Sequence, residues 1–113
     1  GRTELPGSSV TAGLFTHSNP IEASTLPADL QFYVGRGVDQ PDRFVTITVS
    51  LVRPQSRGDL RLRSADSQAP PILQANYLQE AADVKALVRG VHLARWFASV
   101  SVYDPIRGDE IDP

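Results

Sequence analysis

Side chains able to move protons or hold a metal are few in this chain, and they are scattered. Histidine occurs at His17, in a proline-bearing loop, and at His92, inside a helical pattern. Neither has a second ligand at metal spacing or a nucleophile beside it, so both read as ordinary surface residues. Carboxylates gather only near the C-terminus, at Asp104, Asp109, Glu110 and Asp112, as a solvated end does. Arg53, Arg57, Arg61 and Arg63 would make an anion patch, but Asp59 and Asp66 dilute it, and alternation along a strand explains Arg61 and Arg63 as a wet face. Arg-Gly-Asp occurs at residues 57–59 and again at 107–109. On an exposed loop that tripeptide offers a cation and a carboxylate to an adhesion receptor, yet turn propensity accounts for both copies equally well. There is no Gly-x-Ser-x-Gly elbow and no Gly-x-x-x-x-Gly-Lys loop. Gly35-Arg36-Gly37 does not open a helix, so it cannot set a phosphate at a helix N-terminus. What remains is the aromatic pair Phe32 and Tyr33. Neighbours on a strand point to opposite faces, so one belongs to the core and the other to a surface or cavity.

The elements that would position these residues follow from periodicity. Val45, Ile47, Val49 and Leu51 alternate with Thr46, Thr48 and Ser50, the pattern of a half-buried strand. Pro54 closes it, Ser56-Arg57-Gly58 supplies a turn, and a second strand with Leu60 and Leu62 inward is expected to pair back antiparallel. Val10 to Phe15 and Leu30 to Val34 read as two further short strands, and Gly35 to Asp42 as a turn. The stretch from Thr16 to Ala28, with Pro20 and Pro27, reads as loop, as does Ser67 to Pro71. The clearest helix runs from Ala81 to about Val100, with Val84, Leu87, Val88, Val91, Ala94 and Ala98 on one stripe. Asp83 complements the positive end of its dipole. Gly90 in its interior costs about 1 kcal/mol against alanine, which implies a close approach of another backbone there. Strands first and a helix last predict an α+β fold, an antiparallel β-sheet with helix packed on one face.

The totals narrow the function classes. The 113 residues allow one domain at most. A formal net charge of -2 lacks the cationic excess of nucleic-acid binding, and no run is long enough for a membrane span. Cysteine is absent, which excludes disulfides and thiolate metal sites and leaves the compartment open, with the cytoplasm as the default expectation. Gly1-Arg2-Thr3-Glu4 does not read as a signal peptide. Methionine is absent too, which fits a fragment, a processed chain or removal of the initiator.

Three segments in order carry a resemblance. They are Leu51-Val-Arg-Pro-Gln-Ser-Arg-Gly-Asp-Leu-Arg-Leu-Arg-Ser-Ala-Asp66, then Ala69-Pro-Pro-Ile-Leu-Gln-Ala-Asn-Tyr-Leu78, then Ala81-Ala-Asp-Val-Lys-Ala-Leu-Val-Arg-Gly-Val-His-Leu-Ala-Arg95. Together they resemble one block of the GMC (glucose-methanol-choline) flavoprotein oxidoreductases, most of all the choline and alcohol dehydrogenase branch. The earlier Ala28-Asp-Leu-Gln-Phe-Tyr33 resembles a strand of that family. The resemblance implies that residues 1–113 form a single, partial substrate-binding domain. The FAD-binding domain and the C-terminal segment with the catalytic histidine would be absent from it. In the intact parent a hydride would pass from an alcohol carbon to FAD, the protein supplying orientation and electrostatics. This chain alone would bind no FAD and would be inactive. Its partners would be the missing FAD-binding portion and a small alcohol. Tyr33 aligns where choline-oxidising relatives carry a substrate-facing histidine, so it becomes the first cavity candidate, with Phe32 and Phe15 behind it. A tyrosine there still reaches a hydroxyl or caps a cation, but it departs from the choline pattern. A hydroxynitrile lyase-type relative is a second parentage, and a free-standing α+β binding module is the reading from another class. An apolar sheet face left exposed would favour the enzyme fragment.

Overall fold

The computed structural model describes residues 10–21, 25–36, 44–105 and 107–111. Three strands, β1 (Val10–Thr16), β2 (Leu30–Arg36) and β3 (Val45–Leu51), form an antiparallel sheet in the order β1-β2-β3. A second, two-stranded sheet joins β4 (Asp59–Arg61) to β5 (Ile72–Gln74). Helix α1 (Ala81–Ala98) follows, and a single 3-10 turn at Ser101–Tyr103 leads to the C-terminal segment. The class is α+β, as the run of strands before a helix predicts. Most of the turn expected at Gly35 to Asp42 lies outside the described residues, while Gly35 and Arg36 themselves extend β2.

Pairing departs from the expected hairpin. The partner of β3 is β2, with Phe32 opposite Val49, Leu30 opposite Leu51 and Val34 opposite Ile47. The strand after Pro54 pairs with β5 instead, Leu60 standing opposite Leu73. The cause is local. The amides of Gln55 and Ser56 are taken up by the Asp83 carboxylate, both at 2.8 Å, which turns the chain away from β3 toward α1. Leu60 and Leu62 therefore do not point into a core, and Leu62 is 81% exposed.

The helix also presents a different face from the expected one. Asp83, Ala86, Gly90 and Ala94 are its buried residues, with Leu93 and Phe97 packed beside them. Val84, Val88 and Val91 are exposed. Spacings of three and four residues connect both sets, so periodicity could not choose between them. Close packing chose. Where α1 comes nearest the sheet, over Leu30 and Val49, there is room for glycine and not for a valine, while Leu93 and Phe97 pack to the side. A Cβ on Gly90 would stand 2.5 Å from Val49 Cγ1 and 3.3 Å from Leu30 Cδ1. Side chains, rather than another backbone, occupy the space that Gly90 leaves.

The core is small. Leu30 and Phe32 are its fully buried side chains, with Ile47, Val49, Leu51, Leu93 and Phe97 around them. Phe32 and Phe97 meet edge to face, with ring centroids 5.7 Å apart and planes at 88°, the arrangement that aromatic quadrupoles favour. Asp29 ties the loop between β1 and β2. It accepts from Ser18 N at 2.7 Å and Ser18 Oγ at 2.6 Å, while its own carbonyl receives Val52 N at 2.8 Å.

Candidate functional site

The first sheet has one face under α1 and one free of it. Alternation puts Leu30, Phe32 and Val34 on the helix side and Gln31, Tyr33 and Gly35 on the other. Register then aligns two rows on the free face, Phe15·Gln31·Ser50 and Gly13·Tyr33·Thr48, with Gly35·Thr46 beyond them. Phe15 and Tyr33 are diagonal neighbours there, close enough for aromatic rings to share a ligand. Gly13 places no side chain opposite Tyr33. Its missing Cβ would lie 3.5 Å from Phe32 O, an ordinary contact, so packing alone does not demand glycine. The residues of this face carry no formal charge. They can stack a flat or apolar group and hydrogen-bond a hydroxyl, and no histidine or carboxylate stands among them to act as a base.

Of the three aromatics singled out in the sequence, Phe15 and Tyr33 share this face and Phe32 does not. Phe32 is 1% exposed beneath α1 and offers a ligand no surface, which corrects its placement behind Tyr33. The reason is parity on the strand.

His17 and His92, unrelated in sequence, line one shallow cleft of about 460 Å³ with Thr16, Ser18, Pro20, Arg89 and Leu93. His17 Nε2 donates to Leu26 O at 2.7 Å, which fixes its tautomer. Among the described residues no group of three or more His, Cys, Asp or Glu side chains could hold a metal.

The arginines are structural. Arg53 donates to Pro27 O at 2.9 Å, Arg57 to Pro54 O at 2.6 Å and Ser56 O at 3.0 Å, and Arg63 to Pro70 O at 3.2 Å. Arg61 pairs with Asp59 at 3.2 Å, and Arg107 with Asp104 at 2.6 Å. Both Arg-Gly-Asp cations are thus folded back onto their own chain instead of being held out to a receptor. Gly58 sits against backbone: an added Cβ would lie 2.7 Å from Ala75 O and closer still to Gln74 O.

Sequence reasoning missed the latch between the proline turn and α1. Asp83 is 3% exposed and, besides the two amides, accepts from Ser56 Oγ at 2.5 Å. Ser56 Oγ in turn accepts from Glu80 N at 3.1 Å. The Gln55 amide first, then the Ser56 hydroxyl, hold the Asp83 carboxyl below its usual range. For Asp29, burial pushes upward, but the Ser18 hydroxyl and amide outweigh it and the carboxyl also sits low. A Ser-x-x-Asp spacing would have given the latch away, but Ser56 and Asp83 are 27 positions apart. Glu80 and Asp83 put negative charge at the start of α1, where it complements the helix dipole and disfavours a phosphate.

The helix-free sheet face is therefore uncharged, aromatic and lined by hydroxyls. Residues 54–107 match the family model described as GMC oxidoreductase. Patulin synthase of Aspergillus clavatus is 37% identical over 71 residues, 62% of this chain and 11% of that protein. Glucose dehydrogenase [FAD, quinone] of Drosophila pseudoobscura pseudoobscura is 43% identical over 61 residues, 54% of this chain and 10% of that protein. Oxygen-dependent choline dehydrogenase of Brucella ovis is 32% identical over 93 residues, 82% of this chain and 17% of that protein. Over residues 54–107 the chain is thus similar to the GMC oxidoreductase family. The match spans 10% to 17% of the length of the Drosophila and Brucella relatives.

Proposed function

We propose that this chain forms a wall of the substrate cavity in an FAD-dependent alcohol oxidoreductase, other parts of the parent polypeptide supplying the flavin site and the proton acceptor. The observation that carries this reading is the placement of Tyr33 and Phe15 together on the helix-free, uncharged face of the sheet. Flavin takes the hydride in such chemistry. The residues of this chain orient the alcohol, Tyr33 by its hydroxyl and both rings by their faces.

Surface favours a piece of a larger protein over a free-standing module. The exposed apolar sheet face that a fragment implies is the one bearing Leu60 and Leu73, in the smaller sheet.

The test is alcohol turnover by the parent-length protein. Tyr33→Phe is expected to raise KM about three- to tenfold, the loss of one hydrogen bond, and Phe15→Ala to lower kcat/KM further. Unchanged kcat/KM in both variants across a panel of alcohols would reject the cavity assignment.

A further inference from the structure

Arg89 is the exception among the arginines whose side chains the structure describes. Arg53, Arg57, Arg61, Arg63, Arg95 and Arg107 each donate to a carbonyl or pair with a carboxylate. Arg89 has neither a hydrogen bond nor an ion pair among the described residues. It stands in the wall of the cleft of about 460 Å³ between α1 and the loop that follows β1, one turn before His92. Residues three apart on a helix are neighbours on one face, so the guanidinium and the imidazole meet the cleft together. No carboxylate lines it.

His17 lines the same cleft from the loop. Its Nε2 carries the proton given to Leu26 O, which leaves Nδ1 a bare acceptor in the neutral ring. Nδ1 meets no donor among the described residues, and no buried side-chain nitrogen or oxygen there lacks a partner, so Nδ1 is open to a ligand. A simple anion would oppose that lone pair, whereas a ligand that also brings a hydroxyl satisfies it. Pro20 and Leu93 add an apolar wall. Asp29 limits the charge the cleft accepts. Its carboxylate lies near His17, held by Ser18 N at 2.7 Å and Ser18 Oγ at 2.6 Å, and it repels a dianion more than a monoanion.

We propose that this cleft binds a small hydroxycarboxylate, with its carboxylate on Arg89 and His92, its hydroxyl donating to His17 Nδ1 and an apolar substituent against Pro20 and Leu93. The planar guanidinium fork matches a carboxylate through two parallel hydrogen bonds. The cleft lies between α1 and the loop, apart from the helix-free face that carries Tyr33, so the proposal stands without the cavity reading.

The test is phenylglyoxal modification of Arg89 in the unsubstituted parent-length protein, read by peptide mass, with mandelate, phenylacetate and styrene glycol as probes. Mandelate is expected to slow the modification at least about fivefold at several times its Kd, as occupancy by mass action requires. Phenylacetate lacks the hydroxyl and should bind roughly three- to tenfold more weakly, the worth of one hydrogen bond. Styrene glycol lacks the carboxylate and should not protect. Equal protection by phenylacetate or by styrene glycol would overturn the proposal, as would equal protection by inorganic phosphate. A guanidinium that the reagent cannot reach before any ligand is added overturns it too. Calorimetric titration with mandelate runs beside this. Arg89→Gln is expected to weaken binding about tenfold or more, the loss of a charge-assisted pair, while Tyr33→Phe leaves the Kd unchanged. The reverse ranking would put mandelate on the sheet face and reject the cleft as its site.

Discussion

Val49 Cγ1 stands 2.5 Å from the point where Gly90 would carry a Cβ. That single relationship sets how closely α1 lies on the sheet. Alanine would gain about 1 kcal/mol of helix propensity, but overpacking a joined core costs about 1 to 3 kcal/mol. Gly90→Ala is therefore expected to destabilise by about 1 kcal/mol. Val49→Ala in the same chain should reverse the sign of the Gly90→Ala effect, a coupling that a double-mutant cycle by chemical denaturation measures.

Gly58 faces backbone carbonyls on two residues, Gln74 and Ala75, which cannot rotate away as a side chain would. Gly58→Ala should cost about 3 kcal/mol, the upper end of overpacking penalties, and should separate β4 from β5. Proteolysis near residues 59–74, faster in the variant at equal temperature, is the readout.

The Asp29 and Asp83 carboxyls both titrate lower when folded than when unfolded. Such groups add stability that is fully present above the unfolded pKa, about 4, and is lost as pH falls through the lower folded value. Thermal stability is expected to be flat above about pH 5 and to decline below about pH 4. Asp83→Asn should lower it at pH 7 and flatten the acid decline, whereas Ser56→Ala should weaken the latch while leaving most of the pH dependence in place. A steeper acid decline in Asp83→Asn would contradict the assignment.

Adjacent aromatics should behave oppositely. Phe32→Ala empties the centre of the core and is expected to cost about 3 to 5 kcal/mol. Tyr33→Phe, on the other face, should change stability by less than about 0.5 kcal/mol while altering turnover in the parent. Melting curves of the two variants, set beside their kinetics, separate packing from ligand contact.

Much of the fold was legible locally. Alternation marked β3 and apolar runs marked β1 and β2, all to within two residues, and helical spacing marked α1 to within two at its C-terminal end. The resemblance in residues 51–95 located the family, and the Phe32–Tyr33 parity was readable as a pair of opposite directions. Not legible were the partner of β3, the inner side of α1 and the Ser56–Asp83 latch. Each depends on residues far apart in the chain.

By itself the sequence determined β1, β2, β3 and α1, the resemblance to the GMC family and the absence of a Gly-rich phosphate loop, though not β5, because strand alternation, helix spacing and motif order are properties of neighbours. Only the tertiary structure decided which of two apolar stripes on α1 is inside, which aromatic is core and which faces open surface. Both stripes satisfy the same period, and at the point of closest approach glycine holds the inner position because Val49 and Leu30 leave no space for a side chain at residue 90. That volume belongs to the sheet, and the helix cannot report it alone.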